Sequence, residues 1–226
     1  GNKMRNVYLD YSATTPVKDQ VLQEMIPYFT EKFGNPSSLY DKGLESKDAV
    51  THAREQVAEL INAKPSEIFF TAGGTEADNW AVFGTAEKLK AKGNHIITTK
   101  VEHHAMLHSC AALEKDGFEV TYLDIDKDGF VDLKQLEDSI TDKTILISIM
   151  LVNNEIGTIQ PIKEAAAIAK KHKVLFHTDA VQGLGNVPID VRDMGVDMMS
   201  LSSHKIYGPK GVGALYIRKG VSIANY

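Results

Sequence analysis

Short segments rich in apolar and β-branched residues alternate along this 226-residue chain with longer segments of helical periodicity. Several of the short segments are apolar throughout, which is the pattern of strands buried on both faces of a parallel sheet. We therefore predict an α/β fold in which a mostly parallel seven-stranded sheet carries helices on both faces. The predicted strands are 68–71, 95–99, 118–123, 144–152, 173–179, 197–202 and 213–217.

The segments between these strands carry start and stop signals of helices. Pro16 and Pro161 open two of them, and Gly93 and Gly117 end two others, which is the usual asymmetry of helix ends. The predicted helices are one that begins at Pro16 and those at 44–62, 75–93, 103–117 and 161–172. We expect residues 1–3 to be a tag remnant and residues 4–226 to be one domain that stops before its architecture is complete.

Composition excludes several classes of protein. The formal net charge of -5 argues against a nucleic-acid groove or an anionic membrane surface as the main partner. No apolar run reaches the ~20 residues that a membrane-spanning helix needs. The single cysteine, Cys110, excludes a disulfide within the chain, so we expect a reducing compartment and a cytoplasmic location.

The glycine pair in "AGGTEADN" follows the first predicted strand and leads into a helix that starts near Thr75. Gly73 and Gly74 would offer backbone amides and the positive end of the helix dipole to an anion. The stretch lacks the Gly-Lys-Ser/Thr sequence of a P-loop. A glycine turn with Thr75 as the helix cap explains the same residues, so both interpretations stay open at this point.

Polar residues also follow other strands, at the edge where open α/β sheets bind ligands. Asp179 ends an apolar strand and needs a partner, either a helix N-terminus that it caps or a cationic ligand nitrogen. Lys205 lies just beyond another strand, where a dry crevice would lower the pKa of its amine and make it a nucleophile that forms a Schiff base. Lys210, in "GPKG", fits a solvated turn better.

Two further strand ends carry candidates with an equally ordinary alternative. His103 stands at a strand-to-helix junction, where it faces either a ligand or solvent. Asn153 and Asn154 follow the longest predicted strand, where they either line a crevice or form an Asx-type turn.

Metal sites are not predicted. His104 and His108 have helical metal spacing but lack a third ligand nearby. Residues 124–135 imitate a calcium-binding loop, but Gln135 occupies the last position, where a bidentate glutamate is required, and the preceding segment is a strand. We predict a strand, an Asp-Gly turn and a helix there. Cys110 lies on an apolar helical stripe, and we expect it to be buried and inert.

Taken together, these signals match the requirements of one cofactor, pyridoxal phosphate. The phosphate would lie on the helix N-terminus that follows Gly74. Asp179 would keep the pyridine nitrogen protonated, so that the ring acts as an electron sink, and Lys205 would hold the aldehyde as an imine.

A family resemblance covers the chain from Val7 to about Arg218. The motifs occur in order and resemble those of pyridoxal-phosphate-dependent cysteine desulfurases of the NifS/IscS type, which have the large domain of fold-type I transferases. They are "YLDYSATTP", "FGNPSS", "FTAGGTEADN", "EHHA", "VNNEIGTIQP", "HTDAVQ" and "SSHKIYGPKGVGALYIR".

The resemblance implies a role for each residue that matches a family motif. The Schiff-base lysine is Lys205, and His103 stacks on the ring and helps to move protons. The other implied residues are Gly74, Thr75, Ser202 and His204 for the phosphate, Asp179 for the pyridine nitrogen, Gln182 for the phenolic oxygen, Asn154 for the substrate carboxylate, and Ala13 and Thr14 for the substrate pocket.

The resemblance also implies parts that this chain does not contain. Family members continue into a small C-terminal domain with the cysteine that accepts sulfur and an arginine that binds the substrate, and the partner subunit of a homodimer supplies a threonine. We therefore expect the parent to convert L-cysteine to L-alanine and to pass sulfur to an acceptor, such as an iron–sulfur scaffold or a tRNA-thiolation protein. We expect the present chain alone to be inactive. A selenocysteine lyase of the same fold and a non-catalytic cofactor-binding fragment are the alternatives.

Overall fold

The computed structural model describes residues 46–153, 155, 157–181, 187–202 and 213–226, with side chains from residue 51 onward. The helices of this part are α1 (Ser46–Ile61), α2 (Gly74–Leu89), α3 (His104–Lys115), α4 (Leu133–Ser139), α5 (Ile162–Lys171) and α6 (Val191–Met194), with a 3₁₀ turn at Pro65–Glu67. The strands are β1 (Ile68–Thr71), β2 (His95–Thr99), β3 (Glu119–Leu123), β4 (Thr144–Ser148), β5 (Val152–Asn153), β6 (Thr158–Ile159), β7 (Leu175–Asp179), β8 (Met198–Ser202) and β9 (Gly213–Ile217). The helix predicted from Pro16 lies outside the described residues.

Seven of these strands form one sheet in the order β1-β9-β8-β7-β4-β2-β3. Strands β8, β7, β4, β2 and β3 pair in parallel, whereas β9 runs antiparallel to both β1 and β8. The prediction of a mostly parallel seven-stranded sheet is therefore confirmed. Strands β5 and β6 form a separate antiparallel ribbon.

Helices cover both faces of the sheet. Neighbouring strand residues point to opposite faces, and both sets of side chains are apolar and need to be buried. Ile97 packs into a core cluster that includes residues of α1, α4, α5 and α6. Its neighbour Ile96 packs into a second cluster with residues of α2 and α3. Met199 and Met198 divide between the two clusters in the same way. The continuously apolar strands thus reflect burial on both sides.

The structure shifts some predicted boundaries. The run predicted as one strand over 144–152 divides into β4 and β5, because its backbone leaves the parallel ladder after Ser148 while Ile149, Met150 and Leu151 stay buried. Helix α2 ends at Leu89, before Gly93. Pro161 is the N-cap of α5 and precedes its first helical residue.

Candidate functional site

Parallel strands end at one edge of the sheet, and this edge carries several polar residues that the sequence singled out and the structure describes. Asp179 and Ser202 are the last residues of β7 and β8, which are neighbours in the sheet. The loop after β1 leads through Gly73 and Gly74 into α2, and the loop after β2 carries His103 into α3. Their common edge is where open α/β sheets bind ligands.

The glycine loop between β1 and α2 packs closely against the strand ends. A Cβ atom at Gly74 would lie 2.7 Å from Val181 Cγ2 and 3.2 Å from Ser202 Cβ. A Cβ atom at Gly213 would lie 2.4 Å from the carbonyl carbon of Gly73. Only glycine allows this close approach, which places the N-terminus of α2 and the exposed Thr75 beside Ser202. Three residues predicted to hold a phosphate are thus brought to one place.

The side chains of the loop fix its conformation. Thr71 Oγ1 donates a hydrogen bond of 2.7 Å to the carbonyl oxygen of Gly73. The backbone N–H of Ala72 donates to Glu76 Oε2 at 2.9 Å. Burial raises the pKa of Glu76, and the bond from Ala72 opposes this effect. The carboxyl of Glu76 is therefore hydrogen-bonded to the backbone of the loop that precedes its helix.

Asp179 is buried, with only 3% of its surface exposed. Its Oδ1 atom accepts a hydrogen bond of 2.9 Å from the backbone N–H of Val181. Its Oδ2 atom has no hydrogen-bond partner among the described residues. Because a buried carboxylate oxygen without a donor is costly, this atom calls for a donor from a ligand. A protonated pyridine nitrogen is such a donor, so Asp179 fits the ring of pyridoxal phosphate.

His103 caps α3, and its Nδ1 atom accepts a hydrogen bond of 3.2 Å from the backbone N–H of Ala105. In a neutral imidazole this bond assigns the ring proton to Nε2. A ring nitrogen of His103 and one oxygen each of Asp78 and Asp179 all lie within 4.8 Å of one another. A ligand ring bonded to Asp179 would therefore lie in reach of His103.

The donor atoms of these three residues are also of the types that bind metal ions. A carboxylate ligand must be deprotonated, but burial, followed by the charge of Asp179, raises the pKa of Asp78 well above its usual range. This shift disfavours the deprotonated form that a metal ligand requires, so we interpret the cluster as part of a cofactor-ring site. The absence of a metal stays a prediction.

Three buried polar side chains, linked by hydrogen bonds, lie next to Asp179 in the sheet. His177 Nδ1 is 2.7 Å from Ser148 Oγ, and His177 Nε2 is 2.8 Å from Ser200 Oγ. Burial lowers the pKa of His177 to about 4, so its imidazole is neutral at physiological pH. Each of the neighbouring strands β4, β7 and β8 contributes one of these three side chains.

Glu102 holds the loop that positions His103. Its Oε2 atom accepts hydrogen bonds from Thr99 Oγ1 at 2.8 Å and from the backbone N–H of Met150 at 3.0 Å. These contacts connect the end of β2 to the segment that follows β4. Burial raises the pKa of Glu102 to about 8, and the hydrogen bonds from Met150 and Thr99 oppose the shift.

Sequence reasoning missed Asp78, Glu102 and His177 as parts of the site. His177 is a polar residue at the end of an apolar run, and that contrast is a signal that could have found it. Asp78 and Glu102 stand among other polar residues, so no such contrast marks them. Which of them meet in space depends on how α2 packs across the sheet, which the sequence pattern does not specify.

Six predicted site residues lie outside the described residues: Ala13, Thr14, Asn154, Gln182, His204 and Lys205. Their roles stay predictions. Asn153 is described, and its Oδ1 atom accepts a hydrogen bond of 2.9 Å from the backbone N–H of Glu155. The interpretation of Asn153 as an Asx-type turn is confirmed.

The other sequence interpretations can be compared with the structure directly. Cys110 is fully buried, which confirms that part of the prediction, and burial raises the pKa of its thiol to about 12. Its inertness stays a prediction. The predicted order of strand, turn and helix is confirmed: β3 ends at Leu123, just before 124–135, and Asp132 is the N-cap of α4. His104 and His108 are exposed on α3. None of the described helices has the length and apolar character that would let it cross a bilayer.

Comparison with known proteins assigns the chain to a family. Residues 7–223 match the family described as aminotransferase class-V. The chain belongs to the class-V aminotransferase family. Cysteine desulfurase IscS of Clostridium botulinum is 60% identical to it over 221 residues.

Solved structures with the same fold are also similar to this chain in sequence. A NifS-like protein matches with a TM-score of 0.78 and 46% identity, over 96% of this chain and 60% of its own. A structure described as SspA in complex with cysteine matches with a TM-score of 0.75 and 46% identity, over 94% of this chain and 61% of its own. The chain itself spans little more than half of its relatives, since the match covers 98% of it and 56% of the C. botulinum protein.

Proposed function

We propose that this chain is the large, cofactor-binding domain of a pyridoxal-phosphate-dependent cysteine desulfurase. The observation that carries the proposal is the buried Asp179, whose Oδ2 atom lacks a donor among the described residues and which lies at the same strand edge as the glycine loop and His103. Likeness to proteins named cysteine desulfurase supports L-cysteine as the substrate. The reaction would convert L-cysteine and a cysteine thiol outside this chain into L-alanine and a persulfide.

The residues present fit the cofactor at two of its groups. The N-terminus of α2, with Gly74 and Thr75, would hold the phosphate together with Ser202, because helix N-termini favour anions. Asp179 would hold the pyridine nitrogen through Oδ2. When bound, pyridoxal phosphate supplies an electron-withdrawing ring that stabilises negative charge at the substrate α-carbon.

The protein groups around the ring would act by orientation and charge. The bond from Val181 N fixes the carboxylate of Asp179, so that its other oxygen keeps a constant position. Burial strengthens the attraction between this oxygen and a cationic nitrogen, since the local dielectric constant is low. His103 would lie against the ring and hold or release a proton at Nε2.

The remaining roles come from the family resemblance and belong to the proposal. Lys205 would attach the cofactor, Gln182 would contact its phenolic oxygen, and His204 would contact its phosphate. Asn154, Ala13 and Thr14 would contact the substrate. We further propose a cytoplasmic homodimer that passes sulfur to an iron–sulfur scaffold or another acceptor protein, without direct contact with nucleic acid or membrane.

The experiment uses the full-length protein and the 226-residue chain in parallel, each saturated with pyridoxal phosphate. After addition of L-cysteine and a reducing thiol, the full-length protein should release sulfide and L-alanine in equal amounts. The 226-residue chain should release no more than free cofactor does, because the sulfur-accepting cysteine lies outside it. Turnover of L-selenocysteine alone by the full-length protein, or no turnover at all, would overturn the proposal.

A further inference from the structure

Asp78 is a second buried carboxyl beside Asp179 that the proposed reaction does not use. It lies in the second turn of α2 with 1% of its surface exposed. One of its oxygens lies within 4.8 Å of an Asp179 oxygen. Two carboxylates this close in a buried site disfavour each other's ionisation, so the pair should hold one proton.

The hydrogen bonds indicate which member of the pair holds that proton. Asp179 receives one bond, from the backbone N–H of Val181. Neither oxygen of Asp78 has a hydrogen-bond partner among the described residues. Because an anion is stabilised by donors, the negative charge is better placed on Asp179 and the proton on Asp78.

The other titratable groups around Asp78 leave this assignment in place. His177 Nε2 lies 3.7 Å from Asp78 Oδ1, but His177 is neutral and bonded to two serine hydroxyls. Glu102 adds little negative charge here at neutral pH, because burial raises its own pKa to about 8 and its carboxyl is mainly protonated. Burial is the largest cause that raises the pKa of Asp78, and the charge of Asp179 is the second. His103 and the thiol of Cys110 are further titratable groups near Asp78, and burial keeps the thiol protonated by raising its pKa to about 12.

We propose that Asp78 is a positioning residue for this site: its neutral carboxyl donates a hydrogen bond to Asp179 and keeps the negative charge of the pair on Asp179. This inference rests on the proposed function. Asp179 would then receive one donor from Val181 and one from Asp78. The two oxygens of a carboxylate can accept about four hydrogen bonds, so the ring nitrogen would add a third donor. Such donors hold a buried carboxylate in its charged form, which is the form that pairs with a protonated pyridine.

The protonation of Asp78 can be measured without any turnover. Infrared difference spectra of wild type minus Asp78→Asn are recorded on the full-length protein, both cofactor-free and loaded with pyridoxal phosphate. We expect the wild type to contain a carbonyl band of a protonated carboxylic acid that the variant lacks. If Asp78→Asn removes carboxylate bands and no carboxylic acid band, Asp78 is ionised and the inference is wrong.

Cofactor affinity tests the hydrogen bond. Asp78→Asn keeps a neutral donor and should bind pyridoxal phosphate about as tightly as wild type. Asp78→Leu removes the donor and should weaken binding about tenfold or more, the usual loss for a bond to a charged group. Equal losses in both variants, or no loss in Asp78→Leu, would overturn the proposal.

Thr85→Val is the matched control for these variants. Thr85 lies seven residues further along the same face of α2, is fully buried, and is remote from the strand edge. This variant should leave cofactor affinity unchanged, and melting curves of all variants should show that each is folded. If wild-type protein binds no pyridoxal phosphate, the proposed function fails, while the infrared spectra still decide the state of Asp78.

Discussion

Glu102→Gln should make the stability of the protein less sensitive to pH. Glu102 is buried, its pKa is raised to about 8, and one of its oxygens has no partner among the described residues. Glutamine keeps an oxygen that can accept from Thr99 and Met150, but it cannot ionise. The substitution therefore removes the titration and retains the contacts of the loop that carries His103.

The direction follows from the proton balance of folded and unfolded chains. Below the ordinary glutamate pKa of 4.5, Glu102 is protonated in both states. Between about pH 4.5 and about pH 8 the unfolded chain releases the proton while the folded chain keeps it. Wild-type stability therefore falls by up to about 1.4 kcal/mol per pH unit in this window from this residue. Above the window, both states are ionised and the loss stops growing.

The assay is denaturant unfolding of the cofactor-free full-length protein at several pH values between about 5 and about 8, with linear extrapolation to zero denaturant for each variant. The stability of Glu102→Gln relative to wild type should rise steadily with pH. Other buried groups, such as His177, titrate in both proteins and cancel in the difference. Glu87→Gln, which removes an exposed carboxylate on α2, is the control for loss of a formal charge. A difference that is independent of pH would refute the reasoning.

Three further substitutions and one control substitution in the full-length protein test the site and the core. Gly213→Ala should destabilise the fold by about 3 kcal/mol and weaken pyridoxal phosphate binding, because the new Cβ would lie 2.4 Å from the backbone of the glycine loop. Gly195→Ala, which is strained only by its φ of +74°, should destabilise without weakening binding, and unchanged binding in both would contradict this account. Asp179→Ala should slow solvent deuterium exchange at the substrate α-carbon about 10²-fold or more, and a wild-type rate would refute its role. Cys110→Ala should keep most desulfurase activity with a stability loss of about 1 kcal/mol, whereas a persulfide trapped on Cys110 by mass spectrometry would show that it is reactive.

The sequence predicted the sheet well because most of its strands are apolar runs with polar residues or glycine at their ends. Strands β1, β2 and β9 have the predicted bounds. The run over 144–152 was predicted too long because Ile149, Met150 and Leu151 remain buried after the ladder ends. Apolar character reports burial, and it does not distinguish a strand from a buried connection.

The site was predictable where it depends on the ends of strands and less so where it depends on packing between elements. Gly74, His103 and Asp179 follow from the rule that ligands bind at the carboxyl edge of such sheets. Asp78 lies within a helix, and its position beside Asp179 depends on how α2 crosses the sheet. His177 is paired with Ser148 and Ser200 through strand neighbours that are far apart in sequence. No local pattern encodes these contacts.

Attachment of the cofactor to Lys205 is the most direct test of the central claim, that this strand edge binds pyridoxal phosphate. The full-length protein is loaded with pyridoxal phosphate, reduced with borohydride and digested, and its peptides are mapped by mass spectrometry. The account predicts a pyridoxyl group on Lys205, just beyond β8 and Ser202. A pyridoxyl group on Lys210, or a protein that carries none, would contradict it.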